Sequence, residues 1–337
     1  MSSVAWPPEV VATGVGSLPG VDPLAAATWV LDTLPDLPHL PELPDRGLGA
    51  DAIGRTAGLL VDLPVEATAS GWQVAGRPGS DLATSRRLLA DDLAALEIAA
   101  HGYTGPLKVQ VVGPITLAAS LGRPLGEAAL SDAGLLHDLT ASLADGVRQH
   151  LDDVTARVPG ARLVLQVDEP SLPLVLAGRL RTRSGWGVLP RPEPHDVQTL
   201  LAEVLAAAPG ARAVHCCGSQ VPVGLLVAAG ADAVSFDLDL VQTAELDALA
   251  AAVEAGTRLV VGAVPTTRAL TSDAVADRVV GLWSRLGFGA DVVHRQSVVT
   301  PACGLAGHPV EQARDTYRVA RAAARQVAER ESVGPPG

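Results

Sequence analysis

A regular alternation of strand-like and helix-like segments constrains the fold of this chain more than any other feature. Seven apolar segments have the composition of buried strands: residues 10–18, 108–112, 162–167, 212–217, 233–238, 258–264 and 292–300. Six longer segments carry apolar residues every three or four positions, as amphipathic helices do: residues 81–100, 131–157, 195–208, 243–255, 272–286 and 310–329. This alternation predicts a parallel sheet with helical connections.

Two observations favour a closed barrel over an open, doubly wound sheet. No glycine-rich dinucleotide fingerprint follows an early strand, because the run at 14–17 is short and Pro19 interrupts the helix start. The chemically interesting residues all follow predicted strands, and the carboxyl ends of barrel strands converge. We therefore predict one (β/α)8 TIM barrel over residues 1–331. We expect the Pro- and Gly-rich residues 34–79 to form an insertion covering the site, and residues 332–337 to be a disordered tail.

The composition narrows the class of protein. The 337 residues are 48% hydrophobic and 18% charged, which suits a globular chain with a full core. A formal net charge of −12 argues against a nucleic-acid partner, which would require a basic face. The chain shows no signal-peptide pattern and no apolar run of membrane-spanning length. Three cysteines do not make a disulfide framework, and we expect a cytoplasmic protein.

Three residues at predicted strand ends suggest a metal site. His215 and Cys217 lie two positions apart, so a strand points both to one face while Cys216 points to the other. A tetrahedral zinc site needs further ligands, and Cys303 supplies the remaining thiol. The alternative is that these are small buried residues, because free cysteine packs as a hydrophobe.

Acidic residues end two further strands. Asp168 and Glu169 are adjacent, so one should enter the site and the other should make a structural hydrogen bond, although either could cap the following helix. Asp237 could complete a zinc ligand set, or it could cap the helix predicted to begin near Thr243.

Small residues end two more strands. The runs at 14–17 and 113–116 offer backbone N–H donors that suit a carboxylate or an amino-acid ligand, although such turns are also common simply as turns.

Taken in order, these motifs resemble the catalytic, carboxyl-terminal barrel of cobalamin-independent methionine synthase, in its short, single-barrel form. The matching pieces are Thr13-Gly14-Val15-Gly16-Ser17-Leu18-Pro19, Val112-Gly113-Pro114-Ile115-Thr116, Gln166-Val167-Asp168-Glu169-Pro170, His215-Cys216-Cys217, Asp232-Ala233-Val234-Ser235-Phe236-Asp237 and Pro301-Ala302-Cys303-Gly304-Leu305. They cover nearly the whole chain. The His-x-Cys pair with a distant Cys-Gly-Leu is their most specific part.

The resemblance implies an enzyme of methionine biosynthesis that transfers a methyl group to the thiol of homocysteine. It implies Zn²⁺ held by His215, Cys217 and Cys303, with the carboxylate of Asp237 as a fourth ligand that the substrate thiol displaces. It also implies homocysteine-binding residues, which are the backbone around Val15, Gly16 and Ser17, Asp168 at the amino group, and Glu66.

The chain departs from the family pattern in three respects. Asp237 stands where the family usually has the longer Glu, and the loop at 261–267 lacks the family's histidine, for which His308 is a candidate substitute. At 337 residues we also expect no preceding barrel of the kind that helps to hold methyltetrahydrofolate in long-form enzymes. The expected donor is therefore either a methylcorrinoid, carried by a protein, or methyltetrahydrofolate.

Two other functions compete with this interpretation. A uroporphyrinogen-decarboxylase-like barrel enzyme would need no zinc, and the His-x-Cys motif counts against it. A non-catalytic zinc- or thiol-binding derivative is compatible with the missing loop histidine. Metal content separates the first alternative from a methyltransferase, and methyl transfer separates the second.

Overall fold

The computed structural model describes residues 6–124, 126–182 and 185–330, and the predicted tail at 332–337 lies outside these ranges. In the described chain the strands are β1 (Val11–Ala12), β2 (Val65–Thr68), β3 (Gly71–Val74), β4 (Pro106–Val112), β5 (Arg162–Asp168), β6 (Ala211–Cys216), β7 (Ala233–Asp237), β8 (Arg258–Val264) and β9 (Ser297–Pro301). The helices are α1 (Pro23–Thr33), α2 (Ala52–Leu59), α3 (Ser80–Ala99), α4 (Pro114–Ser120), α5 (Ala133–Arg157), α6 (Leu172–Leu176), α7 (Pro194–Ala206), α8 (Val223–Ala228), α9 (Leu246–Glu254), α10 (Ser272–Leu286), α11 (Ala290–Gln296) and α12 (Val310–Glu329).

Seven strands form one parallel sheet in the order β1-β9-β8-β7-β6-β5-β4. Residues 38–42 bridge its two edges. On one side Leu40 N donates to Lys108 O at 2.9 Å, and on the other Leu18 N donates to Glu42 O at 2.8 Å. The protein is thus an α/β fold whose parallel sheet is consistent with a TIM-like barrel.

The predicted insertion at residues 34–79 is not confirmed. Its first part bridges the sheet edges, its middle forms α2, and only the β2–β3 hairpin forms a separate antiparallel pair. Sequence patterns missed the bridging segment because it is short and contains Pro38 and Pro41, which are unfavourable in ordinary strands.

Two predicted strand boundaries are wrong. The strand predicted over 10–18 is reduced to the two residues of β1, and the one predicted over 292–300 begins only at Ser297. The apolar residues Val292 and Val293 belong to α11, a seven-residue helix. A helix this short shows too few turns for its periodicity to be distinguished from that of a strand.

Residues of the sheet alternate between two environments. One set packs outward beneath the helices and includes Leu165, Val214 and Phe236. The other set forms a smaller apolar cluster near the amino-terminal ends of the strands, and Val164, Ala213, Val260, Val298 and Trp6 belong to it. Among the described residues no helix is both long and apolar enough to cross a membrane.

Candidate active site

The same face of the sheet becomes polar toward the carboxyl ends of its strands. Two positions beyond the small apolar cluster lie Gln166 on β5, His215 on β6, Ser235 on β7 and Thr300 on β9, all of them buried. Side chains two residues apart on a strand share a face, so these groups line the space into which the strand ends lead. This arrangement places a layer of buried polar side chains at the end of the sheet where α/β barrels carry their active sites.

His215 belongs to this polar layer. In the strand register it is the neighbour of Asp168 on one side and Ser235 on the other. Its Nδ1 atom is 2.8 Å from Ser235 Oγ, a hydrogen bond that holds the imidazole ring in place. Its Nε2 atom is buried and has no hydrogen-bond partner in the described chain, and the same is true of Thr300 Oγ1. A buried imidazole nitrogen without a partner is available to a ligand.

Cys217 and Cys303 meet although they lie 86 positions apart in the chain, with their sulfur atoms at 3.7 Å. Their hydrogen bond lowers the pKa of the Cys303 thiol and raises the pKa of the Cys217 thiol, so the pair takes one negative charge more readily than two. His215 also lowers the pKa of Cys303. Cys216, by contrast, is fully buried in the outer core.

The donor atoms of this cluster are of the types that bind zinc. No group of three or more His, Cys, Asp or Glu residues in the described ranges is already arranged to hold a metal ion. The sulfurs of Cys217 and Cys303 are nevertheless 3.7 Å apart, and two thiolates at ~2.3 Å from a tetrahedral zinc ion would be separated by about 3.8 Å. The side chain of His215 acts directly on the Cys303 thiol, and its Nε2 atom has no partner within hydrogen-bond distance in the described chain. These residues therefore fit zinc in both chemistry and sulfur spacing.

Asp237, the predicted fourth ligand, ends β7 and is partly buried. Its Oδ1 atom accepts a hydrogen bond of 2.9 Å from Asp239 N and caps the short helical turn at Leu238–Leu240. The helical turn near Thr243, which it was expected to cap as the alternative, has its own capping box from Gln242. Burial raises the pKa of Asp237, and the neighbouring Cys303 adds to this effect.

Asp168 and Glu169 have different environments. Glu169 is fully buried and accepts hydrogen bonds from Ile115 N at 2.9 Å, Thr116 N at 2.8 Å and Thr116 Oγ1 at 2.6 Å, so it caps α4 from the neighbouring strand. Asp168 shares the His215 face and accepts a hydrogen bond of 2.7 Å from Gln166 Nε2. Burial raises the pKa of Asp168, and the His215 charge partly offsets the rise.

The loop after β1 is held by two buried side chains. Val15 O accepts a hydrogen bond from Lys108 Nζ at 2.8 Å and another from Gln166 Nε2 at 2.9 Å. The backbone N–H groups of Gly16 and Ser17 have no acceptor in the described chain. Gln166 therefore links this loop to Asp168, because its Nε2 atom donates to both Val15 O and Asp168 Oδ1. The two free N–H groups of the loop and the Asp168 carboxylate thus belong to one hydrogen-bond network.

Lys108 was missed by the sequence analysis. It is 1% exposed, and burial lowers the pKa of its ammonium group to about 8 while Asp168 and Glu42 oppose that change. A signal was present in the sequence, since the only lysine of the chain falls in the middle of an apolar strand. Buried lysines are rare unless they are paired.

Two predicted site residues are not brought to this cluster by any described contact. Glu66 lies on β2, where its Oε1 atom accepts a hydrogen bond of 2.8 Å from Gln73 Nε2 across the hairpin. His308 is partly buried in the loop before α12, and its backbone N–H donates to Leu305 O at 3.0 Å. Both assignments remain predictions.

Fold and site together define a class, that of α/β enzymes with a TIM-like parallel sheet and a thiol–imidazole cluster at the carboxyl ends of its strands. The family described as "Cobalamin-independent synthase, Catalytic domain" matches residues 99–326. The chain therefore belongs to the cobalamin-independent methionine synthase family, and it corresponds to the catalytic domain. This membership favours the predicted methyltransferase over the uroporphyrinogen-decarboxylase alternative.

Among solved structures the chain resembles a B12-independent methionine synthase from Shewanella sp. W3-18-1 in complex with selenomethionine. The TM-score is 0.62 at 14% identity, over 95% of this chain and 98% of that chain. A psychrophilic glycoside hydrolase family 10 endo-beta-1,4-xylanase gives a TM-score of 0.37 at 9% identity, over 69% of this chain and 81% of that chain. No curated protein matches the sequence.

Proposed function

We propose that the protein is a zinc-dependent methyltransferase that converts homocysteine to methionine. The observation that carries the proposal is the meeting of Cys217 and Cys303, 3.7 Å apart, beside the unpartnered Nε2 atom of His215, in a chain of this family. The related Shewanella structure is described as a complex with selenomethionine, which supports a methionine-like product.

In this proposal His215, Cys217 and Cys303 hold zinc, and Asp237 is the candidate for a fourth ligand. When bound, zinc would supply a positive charge that keeps the substrate sulfur deprotonated and nucleophilic near neutral pH, where a free thiol with a pKa of ~8.5 is mostly protonated. Ser235 fixes the orientation of His215 through Nδ1, which leaves Nε2 for the metal.

The other polar groups would bind the amino-acid portion of homocysteine. Asp168 would accept a hydrogen bond from the ammonium group, and the free N–H groups of Gly16 and Ser17 would donate to the carboxylate. Lys108 and Gln166 would keep those N–H groups in place by holding Val15 O. Glu66 would be a further acidic contact if the β2–β3 hairpin approaches the bound substrate.

The reaction forms one bond and breaks one. The substrate sulfur, as a thiolate, takes the methyl group as the bond between methyl and donor breaks, and the electron pair of that bond stays with the donor. The proton lost from the thiol balances the proton that the nitrogen of tetrahydrofolate takes up, and it is released to solvent when the donor is a methylcorrinoid. The donor is a methylcorrinoid, bound to a protein, or methyltetrahydrofolate. His308 would assist at the donor side, where the family's loop histidine is absent from residues 261–267.

The proposal extends to the architecture and the location of the protein. We infer a closed, eight-stranded barrel in which residues 38–42 serve as the second strand, supported by their hydrogen bonds to both sheet edges. We also propose a cytoplasmic location, because a reducing compartment keeps Cys217 and Cys303 as free thiols that can bind metal.

The decisive experiment incubates zinc-loaded protein with homocysteine and a donor whose methyl group carries deuterium. Methylcobalamin and methyltetrahydrofolate are supplied in separate reactions, and labelled methionine is measured by mass spectrometry. We expect labelled methionine with at least one donor, and none with Cys303→Ser. Absence of product with both donors, from protein that binds zinc and homocysteine, would instead support the non-catalytic derivative.

A further inference from the structure

A cleft opens at the opposite end of the sheet from the thiol–imidazole cluster. It has a volume of about 870 Å³ and lies at the amino-terminal ends of β6, β7 and β8. Trp6, which precedes β1, and Arg295, at the end of α11, form part of its wall. We call this space the basal cleft.

The basal cleft is positively charged in an acidic protein. Its lining contains Arg212, Arg258, Arg295 and a single carboxylate, that of Asp232. Arg212 already forms an ion pair with this carboxylate, donating hydrogen bonds from Nε at 3.0 Å and from Nη2 at 3.1 Å. Within the described ranges neither Arg258 nor Arg295 forms an ion pair, so the lining has two uncompensated positive charges while the whole chain carries −12.

Two residues that line this cleft carry a buried donor atom without an acceptor. Trp6 is 5% exposed and its indole Nε1 has no hydrogen-bond partner in the described chain, and the same holds for Arg258 Nη1. The Arg258 guanidinium lies 5.9 Å from the centre of the Trp6 ring, a cation–π distance. Burial alone lowers the pKa of Arg258, since no carboxylate offsets the cost of desolvating its charge.

We propose that the basal cleft binds an organic oxyanion, a carboxylate or a phosphate group, between Arg258 and Arg295, with the Trp6 indole N–H as a further donor. Guanidinium groups pair with either oxyanion through paired N–H bonds. The cleft is larger than one such group requires, and the small apolar residues Ala208, Pro209 and Val227 line the rest of it. An organic body attached to the oxyanion would occupy that part.

The proposal does not depend on the methyltransferase assignment. The residues that would bind the anion, Trp6, Arg258 and Arg295, lie at or a few positions before the starts of strands, whereas the thiol–imidazole cluster lies at the ends of strands. The competing explanation is structural, namely that Arg258 simply covers the Trp6 ring and closes the bottom of the core. Binding measured directly, together with stability measured without ligand, separates the two explanations.

The test titrates full-length protein with inorganic phosphate by calorimetry, at constant ionic strength maintained with sodium chloride. Citrate is titrated in a parallel series, which shows whether carboxylates or phosphates bind more tightly. We expect saturable binding that Arg258→Gln weakens by about tenfold or more, because a hydrogen bond to a charged group contributes about 1.5–3 kcal/mol. Trp6→Phe keeps the ring beneath Arg258 and removes only the N–H donor, and we expect it to weaken binding by a few-fold.

Arg77→Gln is the matched control, because Arg77 is an exposed arginine near the β2–β3 hairpin and its loss changes the net charge equally. Binding that falls alike in Arg77→Gln and Arg258→Gln would reflect net charge alone and would overturn the proposal. So would the absence of saturable binding of either anion to the wild-type protein. A loss of thermal stability in Arg258→Gln without ligand, with anion affinity unchanged, would establish the structural explanation instead.

Discussion

Cys216 and Cys217 are adjacent in the chain, yet only Cys217 meets Cys303. We therefore expect Cys217→Ser or Cys303→Ser to lose bound zinc and Cys216→Ser to retain one zinc per chain. The physical reason is strand alternation, which turns Cys216 into the core beneath the helices. Metal analysis of the three purified variants checks this. Equal zinc loss from Cys216→Ser would show that the metal lies elsewhere.

Asp168 is the residue on which amino-group recognition depends in the proposed site. Asp168→Asn should raise the Kd for homocysteine by at least about thirtyfold, since truncating a buried, hydrogen-bonded charge pair costs 2 kcal/mol or more. Zinc content should stay unchanged. Calorimetric titration measures the affinity, with Asp138→Asn on the exposed face of α5 as the control. An unaltered affinity in Asp168→Asn would remove this residue from the substrate site.

At the scale of single elements, the amino-terminal end of α4 is capped by Glu169, which directly follows β5. Glu169→Ala should lower the free energy of unfolding by about 3 kcal/mol or more, because it leaves three buried donors of Ile115 and Thr116 without an acceptor. Glu169→Gln keeps one acceptor oxygen and should lose less. Urea denaturation followed by circular dichroism measures both. Glu203→Ala, at an exposed position of α7, should change stability little, and a Glu169→Ala loss no larger than this control would contradict the capping role.

The stability of the protein should depend on pH through His150, which lies on α5. Burial lowers the pKa of His150 from 6.5 to about 4, so the unfolded chain takes up a proton at this residue before the folded protein does. Its contribution to stability is therefore present above pH 6.5 and is lost as the pH falls toward 4. Between pH 7.5 and 5.0 the wild type should lose about 2 kcal/mol more than His150→Gln. Parallel pH–stability curves for the two proteins would show that His150 does not titrate as described.

At the scale of the whole molecule, the proposed metal joins strands that are not neighbours. Cys217 follows β6 and Cys303 follows β9, with β7 and β8 between them in the sheet. Because a ligand that binds only the folded protein stabilises it, removing zinc with a chelator should lower the Tm by several degrees. Cys303→Ser should show no such shift. A wild-type Tm unaffected by chelation, despite measured loss of one zinc, would mean that the metal does not connect these strands.

The parts of the fold and of the candidate site that could be predicted are those that depend on residues close together in the sequence. Residue periodicity indicated the strands β4 to β8 and the long helices, because each presents a repeating apolar face. Strand alternation separated Cys216 from Cys217, and the carboxyl-end rule of parallel sheets brought Cys303 to the same edge. The predicted family was confirmed as well. Its motifs are contiguous runs of residues, so they can be recognised without knowledge of the fold.

Only the tertiary structure decided the features that depend on partners distant in the chain. The bridge formed by residues 38–42 has little strand character of its own and exists through its hydrogen bonds to Lys108 and Leu18. The role of Lys108 likewise depends on its hydrogen bond to the Val15 carbonyl, 93 positions away. The basal cleft likewise gathers Trp6, Arg258 and Arg295 from three separate segments. The sequence by itself determined the long periodic elements and the residue types that end them, because those properties are local. The bridge between the sheet edges, the burial of charge and the basal cleft depend on long-range packing, which no local pattern encodes.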